Sequence, residues 1–298
     1  MVHRFIRPWA AAAITALCIG MGGTAYAGGG LFGQVGKLLG GGDSQGEASD
    51  QGRPALDIGK LLKHAQQAFG ETSPEEEAAV GDQAAAVLLG AAPLVQDASL
   101  ERYVNRVGRW VALHTERPDL DWRFGVLDTD DVNAFAAPGG IVLVTKGLLL
   151  HLHDEAELAG VLAHECAHVL RHHHLQALHK NARLGLALDV VGSQADEERR
   201  GQLERIANGF KELYARGLDK EDEFEADRLG EVIAARAGYD PYGLVGAIQT
   251  LAQGDPKAGP VAFWFQTHPA PEQRLARLDA TFDTLQPYAG QPDLRERF

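Results

Sequence analysis

The residues best able to do chemistry are His164-Glu165-Cys166-Ala167-His168. On a helix, side chains four apart share a face, so the two imidazoles of this H-E-x-x-H pattern can reach one cation. Glu165, one step round, can face a water beside that cation rather than the cation itself. The chemistry is metal-assisted hydrolysis. A Lewis acid polarises a carbonyl and acidifies a water, while the carboxylate takes the water's proton and delivers it to the leaving group. Catalytic zinc wants three protein ligands and one open position, so a third ligand has to come from elsewhere in the chain.

Two stretches compete for that role. His174 stands six residues after His168, where a metzincin places its third histidine. Position 171 is Arg171, not the glycine that turns such a chain back to the metal, and both methionines, Met1 and Met21, lie in the first 27 residues. No methionine remains for a Met-turn, and the metzincin reading is excluded. The other stretch is Glu223-Phe224-Glu225-Ala226-Asp227. Glu223 and Asp227 are four apart on an expected helix, so one can ligate the metal while the other accepts the N–H of a ligand histidine and fixes its tautomer. Glu225 is expected to face solvent. His172, His173 and His174 are expected to form a polar face, His172 lying a turn beyond His168 on a straight helix, about 6 Å past it. His151, His153 and His179 flank helix ends, and Cys166 is expected to be a small packed core residue.

The elements that must position these groups are legible in the surrounding pattern. Asp154, with Glu157 three residues on, reads as the start of the metal-binding helix; Leu158, Val161, Leu162, Val169 and Leu170 are apolar, and no Gly or Pro interrupts Val161 to His179. Upstream, Ser73-Pro74-Glu75-Glu76 forms an N-cap, a proline at the first helical position and a capping glutamate, predicting a helix to Leu89. A second helix is expected over Leu100 to His114. Asp121 to Leu127 reads as a strand, and Phe135 to Thr145 as a hairpin turned by Pro138-Gly139-Gly140. Leu203, Ile206, Phe210 and Leu213 mark one buried helix face.

Residues 1–27 carry His3, Arg4 and Arg7, an apolar run from Trp9 to about Gly20, and Ala25-Tyr26-Ala27, the signature of a secretory leader cut after Ala27. An uncleaved N-terminal anchor is the alternative, and nothing later resembles a membrane span. Residues 28–72 are Gly-rich and polar, a flexible linker with one short apolar helix from Leu31 to Leu39. The formal charge of −13 becomes −15 without Arg4 and Arg7, which argues against nucleic acid as a partner. After the leader only Cys166 remains, so no internal disulfide is expected.

Further matches complete an ordered set: Asn133-Ala134-Phe135-Ala136-Ala137-Pro138-Gly139-Gly140, Gly147-Leu148, and His268-Pro269 followed by Arg274. With these, the chain resembles the gluzincin zinc metallopeptidase family of the CAAX prenyl protease and HtpX, from about Ser73 to Asp283. Lacking their membrane helices, it looks more like the soluble periplasmic BepA and LoiP types. It departs from the first in having no room for a tetratricopeptide-repeat domain, and from the second in lacking a lipidation cysteine.

The resemblance implies an α+β fold: a mostly helical zincin-type domain over residues 73–298, with a small antiparallel β-sheet next to the H-E-x-x-H helix. It implies one zinc ion per chain on His164, His168 and Glu223, with Asp227 behind a ligand and Glu165 as the base. Arg274 or His268 is the candidate donor to the oxyanion. Asn133, Ala134 and Phe135 would supply an edge strand that pairs with an extended peptide, which reads backbone more than side chains. The expected substrates are unfolded or misfolded proteins of the cell envelope, with envelope proteins as partners. A sharper expectation gives His268 the fourth position on the metal, keeping the enzyme latent. The rival classes are a chaperone-like module with little turnover, and a metal-storage or sensor protein that uses the histidines at 172–179.

Overall fold

The computed structural model describes residues 73–186 and 207–298. The expected leader, the linker with its short helix, Leu203 and Ile206 lie outside the described residues. In chain order the elements are α1 (Pro74–Ala91), α2 (Ala98–Ala112), β1 (Arg123–Leu127), β2 (Ala134–Ala137), β3 (Ile141–Thr145), α3 (Lys146–Leu149), α4 (Glu155–Leu170) and α5 (His173–Leu186). After these come α6 (207–216), α7 (Lys220–Arg236), α8 (Gly243–Leu251), α9 (Ala262–Thr267) and α10 (Pro271–Asp279).

Local chemistry sets the helix starts. The Ser73 hydroxyl accepts from the Glu76 amide while the Glu76 carboxylate accepts from the Ser73 amide, a reciprocal capping box. Asp97 accepts from the amides of Ser99 and Leu100 to begin α2 two residues earlier than expected. Asp154 accepts from the Glu157 amide at 2.8 Å to begin α4. Gly139 and Gly140 turn the hairpin with φ of 76° and 94°, which glycine adopts without steric cost.

The α+β class holds, but the sheet is mixed rather than antiparallel. Its order is β1-β3-β2, with β2 antiparallel and β1 parallel to β3. The return strand of the hairpin, Ile-Val-Leu-Val-Thr, is the most continuously apolar of the three and takes the centre, where both of its edges pair and both of its faces are buried. That leaves β1 the far edge, running in the same direction as β3. Alternate residues serve two cores. Ala134, Ala136, Val142 and Val144 pack toward α2, α4 and α8; Phe135, Ala137, Ile141 and Leu143 pack toward α1 and α6. Phe210 and Leu213 of α6 are buried in the second core, as their spacing predicts.

The metal-binding helix is shorter than its composition suggests. It ends at Leu170, and His172 adopts φ 56°, so α5 starts in a new direction instead of continuing α4. No glycine marks the break. Histidine is among the residues that enter the left-handed region more readily than most.

Candidate metal centre

α4 and α7 carry the reactive groups and pack against each other along the length of both helices. Gly230 of α7 faces the α4 backbone: a Cβ built there lies 3.0 Å from the His164 amide nitrogen, so only glycine permits this approach without adjustment. Asp227 and Glu223, one and two turns earlier on α7, are thereby brought against His164.

The donor atoms converge. His164 Nε2 lies 3.0 Å from His168 Nε2 and 3.8 Å from Glu223 Oε2, and His168 Nε2 lies 3.6 Å from Glu223 Oε1. His268 Nε2 joins at 3.8 Å from Glu223 Oε2, and donors of His164, Glu223 and His268 all lie within 4.8 Å of one another. Tetrahedral zinc with bonds of about 2.0–2.1 Å separates its ligand atoms by roughly 3.3 Å, so the set has the right size. Two further observations fit a cation. Glu223 Oε2 is buried with no hydrogen-bond partner, and the Nε2 atoms of His164 and His168 face each other while their Nδ1 atoms lie 2.9 Å from Asp227 Oδ1 and 3.0 Å from His173 Nδ1. With the protons on Nδ1 the two Nε2 lone pairs meet, an arrangement that a cation between the rings would relieve.

Electrostatics agree with the ligand roles of the histidines. Burial holds the pKa of His164, His168 and His268 below the usual imidazole value, so all three favour the neutral, metal-binding form. Burial pushes Glu223 well up, only partly countered by Arg274. Asp227 goes the other way: burial would raise it, but the Arg274 charge and contacts with Arg274 and His164 outweigh that and hold its carboxyl well below the usual range. Glu165 is pushed up to about 8 by burial, with Arg274 and the Ala136 amide lowering it.

Behind His164, Asp227 Oδ1 stands 2.9 Å from Nδ1. Arg274 donates to both oxygens of that carboxylate, at 2.9 and 2.5 Å, and lies over the Trp264 ring. Arg274 is therefore tied to Asp227 and acts on the centre through His164. Its side chain also lines the cleft, so a place near an oxyanion stays a proposal. His268 is held through Nδ1, 3.0 Å from the Thr267 hydroxyl and 3.2 Å from the Trp264 carbonyl, and its ring stacks on Trp264. A carbonyl can only accept, so Nδ1 carries the proton and Nε2 presents a lone pair to the centre. In this conformation His268 is a ligand candidate, not a hydrogen-bond donor.

The expected substrate strand borders the centre. β2 pairs on one side only, and because the Asn133 carbonyl accepts from the Thr145 amide, Ala134 and Ala136 turn their main-chain groups to the open edge. Ala134 lines a narrow cleft with Val161, His164, Glu165, Trp264 and His268. The edge is not bare. The Tyr214 hydroxyl of α6 donates to the Ala136 carbonyl at 2.9 Å, and Phe135 turns to the opposite face, against Tyr214 and Phe263. Asn133 is buried and fully engaged: its amide donates to Thr145 Oγ1, its side-chain amide to Thr267 Oγ1, and its side-chain carbonyl accepts from Ala134. It braces β2 against the residue beside His268 rather than facing a substrate.

Two expectations about histidines and acids are corrected. His173 and His174 are buried, not a polar face, because the break at His172 folds them back on His168. His173 Nδ1 lies 3.0 Å from His168 Nδ1, and the His174 ring packs between those of His168 and Tyr214. Glu225 is half-exposed but engaged, with Arg171 at 3.0 Å and His173 at 3.6 Å. Cys166 is a buried free thiol, as expected.

A helix bearing H-E-x-x-H beneath a small mixed sheet, with an acid on a second helix facing both histidines, defines a metallopeptidase site of the gluzincin type. Residues 97–282 match Peptidase family M48, and the chain belongs to that family. It is 29% identical over 223 residues to the beta-barrel assembly-enhancing protease of Escherichia coli strain K12, covering 72% of this chain and 46% of that protein. It is 30% identical over 179 residues to the mitochondrial metalloendopeptidase OMA1 of Arabidopsis thaliana, covering 57% and 34%. It is 35% identical over 159 residues to metalloprotease YcaL of the same Escherichia coli strain, covering 52% and 60%. The chain spans about half the length of the first of these relatives.

Proposed function

We propose that this chain is a zinc-dependent endopeptidase, with one zinc ion on His164, His168 and Glu223. The observation that carries the reading is the close approach of those three side chains, 3.0, 3.6 and 3.8 Å between donor atoms, with Glu165 and Ala134 lining the cleft beside them. Zinc held there would supply Lewis acidity toward a water and the scissile carbonyl. Glu165 takes the water's proton on its carboxylate and returns it to the leaving amine. Asp227, fixed by Arg274, orients His164. The outer edge of β2 would offer an extended peptide the Ala134 carbonyl, and the Ala136 carbonyl once Tyr214 leaves it, which favours unfolded or misfolded substrates over one fixed sequence.

The leader pattern at 1–27 supports export to the periplasm, and the resemblance to a protease named for β-barrel assembly supports envelope proteins as substrates and partners. No helix among the described residues is long and apolar enough to cross a membrane.

The test compares residues 28–298 with a Glu165→Gln version, both loaded with zinc, on an unfolded protein. The first should cleave and be blocked by a chelator; the second should lose about 10²–10⁴-fold in rate. Equal cleavage by both would remove Glu165 from the reaction. A second reading, a latent or non-catalytic module, is favoured by one observation: His268 Nε2 already points into the donor set. Zinc binding without cleavage in the unsubstituted protein would select it.

A further inference from the structure

His164 and His168 are oriented by different means. Behind His164 stands an ionised carboxylate; behind His168 stands another imidazole, His173, with Nδ1 facing Nδ1 at 3.0 Å. Both histidines are buried, so water does not substitute for either partner. A contact between two ring nitrogens at that distance needs one proton, carried by one ring and accepted by the other. For His168 to present a lone pair at Nε2 toward Glu223, its proton must sit on Nδ1. His173 must then accept at Nδ1 and carry its own proton on Nε2. That nitrogen faces two acids of α7, Glu225 Oε2 at 3.6 Å and Asp222 Oδ1 at 3.9 Å. Glu225 is itself held by Arg171 Nε at 3.0 Å.

From this chain we infer that His173 is a positioning residue, setting the tautomer and ring orientation of His168 by accepting its Nδ1–H. The inference rests on the reading of His164, His168 and Glu223 as metal ligands. It gives the break at His172 a purpose. Had α4 run on straight, residue 173 would have turned away from the Nδ1 side of His168, and the second ligand would lack a buried acceptor. The two acids on α7 also tie His173 to the helix that supplies Glu223, so the ligand histidine and the ligand glutamate share one support.

Zinc affinity, read by chelator competition on residues 28–298, tests this together with the absorption spectrum of the cobalt-substituted protein and the melting temperature of the metal-free protein. His173→Leu keeps an apolar side chain but offers no acceptor; zinc affinity should fall about 10–100-fold and the cobalt spectrum should change, while the metal-free melting temperature holds. His173→Asn places a carbonyl oxygen near the old Nδ1 position and should restore most of the affinity. Unchanged affinity in the leucine variant overturns the inference, as does an asparagine variant as weak as the leucine one. Should the leucine variant fail to fold, nitrogen-15 NMR of the unsubstituted protein decides: a proton on His173 Nδ1 rather than Nε2 overturns the assignment. Failure of the unsubstituted protein to bind zinc sinks the metal reading itself and is seen before any variant is compared.

Discussion

The floor and the roof of the centre are built differently. The floor is α4 against α7, with His164, His168 and Glu223 all buried and Gly230 letting the two backbones touch. Each proposed ligand histidine there has a second residue behind it. The roof is α6 and the short α9, packed through Phe210, Leu213 and Trp264, and its polar contacts with the sheet are single ones: Tyr214 on the Ala136 carbonyl and Thr267 on Asn133. Burial encloses the donor set of the floor, whereas a polar contact of the roof falls on the β2 edge, where a peptide would pair. Holding the ion and admitting the substrate are therefore separable properties.

Floor substitutions should act on metal affinity and roof substitutions on turnover. The largest effect should come from Asp227→Asn, which leaves Arg274 without its carboxylate and His164 without a charged acceptor. Zinc affinity should drop about 10–100-fold by chelator competition, and full affinity would show that the floor does not depend on its buried charge. His268→Ala, on the roof, should leave zinc affinity within a few-fold and raise basal cleavage of an unfolded protein. Lost cleavage with zinc still bound would instead make His268 a catalytic residue. Tyr214→Phe should have the smallest effect. It removes one neutral hydrogen bond, of net worth about 0.5–1.5 kcal/mol, so cleavage of an extended peptide should rise about two- to tenfold with zinc affinity unchanged. A Tyr214→Phe protein that loses zinc would erase the distinction between floor and roof.

Much of the floor could be read before the fold was known, because it lies in contiguous helix turns. The H-E-x-x-H spacing and the Glu223/Asp227 pair each follow from the 3.6-residue period, and Asp154 and Ser73 announce their helices by caps that the structure keeps. The roof was less legible. The Tyr214 contact with Ala136 joins residues 78 apart, and that of Asn133 with Thr267 joins residues 134 apart, with no local pattern to mark either. Arg274 was visible as a residue of interest, but its role was not. A guanidinium suits an oxyanion and a carboxylate equally well, and only the fold brings Asp227 against it.

By itself the sequence determined which residue types could hold a metal, which helices would carry them, and that an apolar hairpin would stand upstream. Those are consequences of short-range periodicity, and periodicity is written residue by residue. The tertiary structure alone decided that β1 runs parallel to β3, that α4 stops at Leu170, and that His173 turns in to meet His168. Each of these depends on which of several locally acceptable conformations buries the most surface and leaves the fewest polar groups unpaired, a choice made only when distant segments meet.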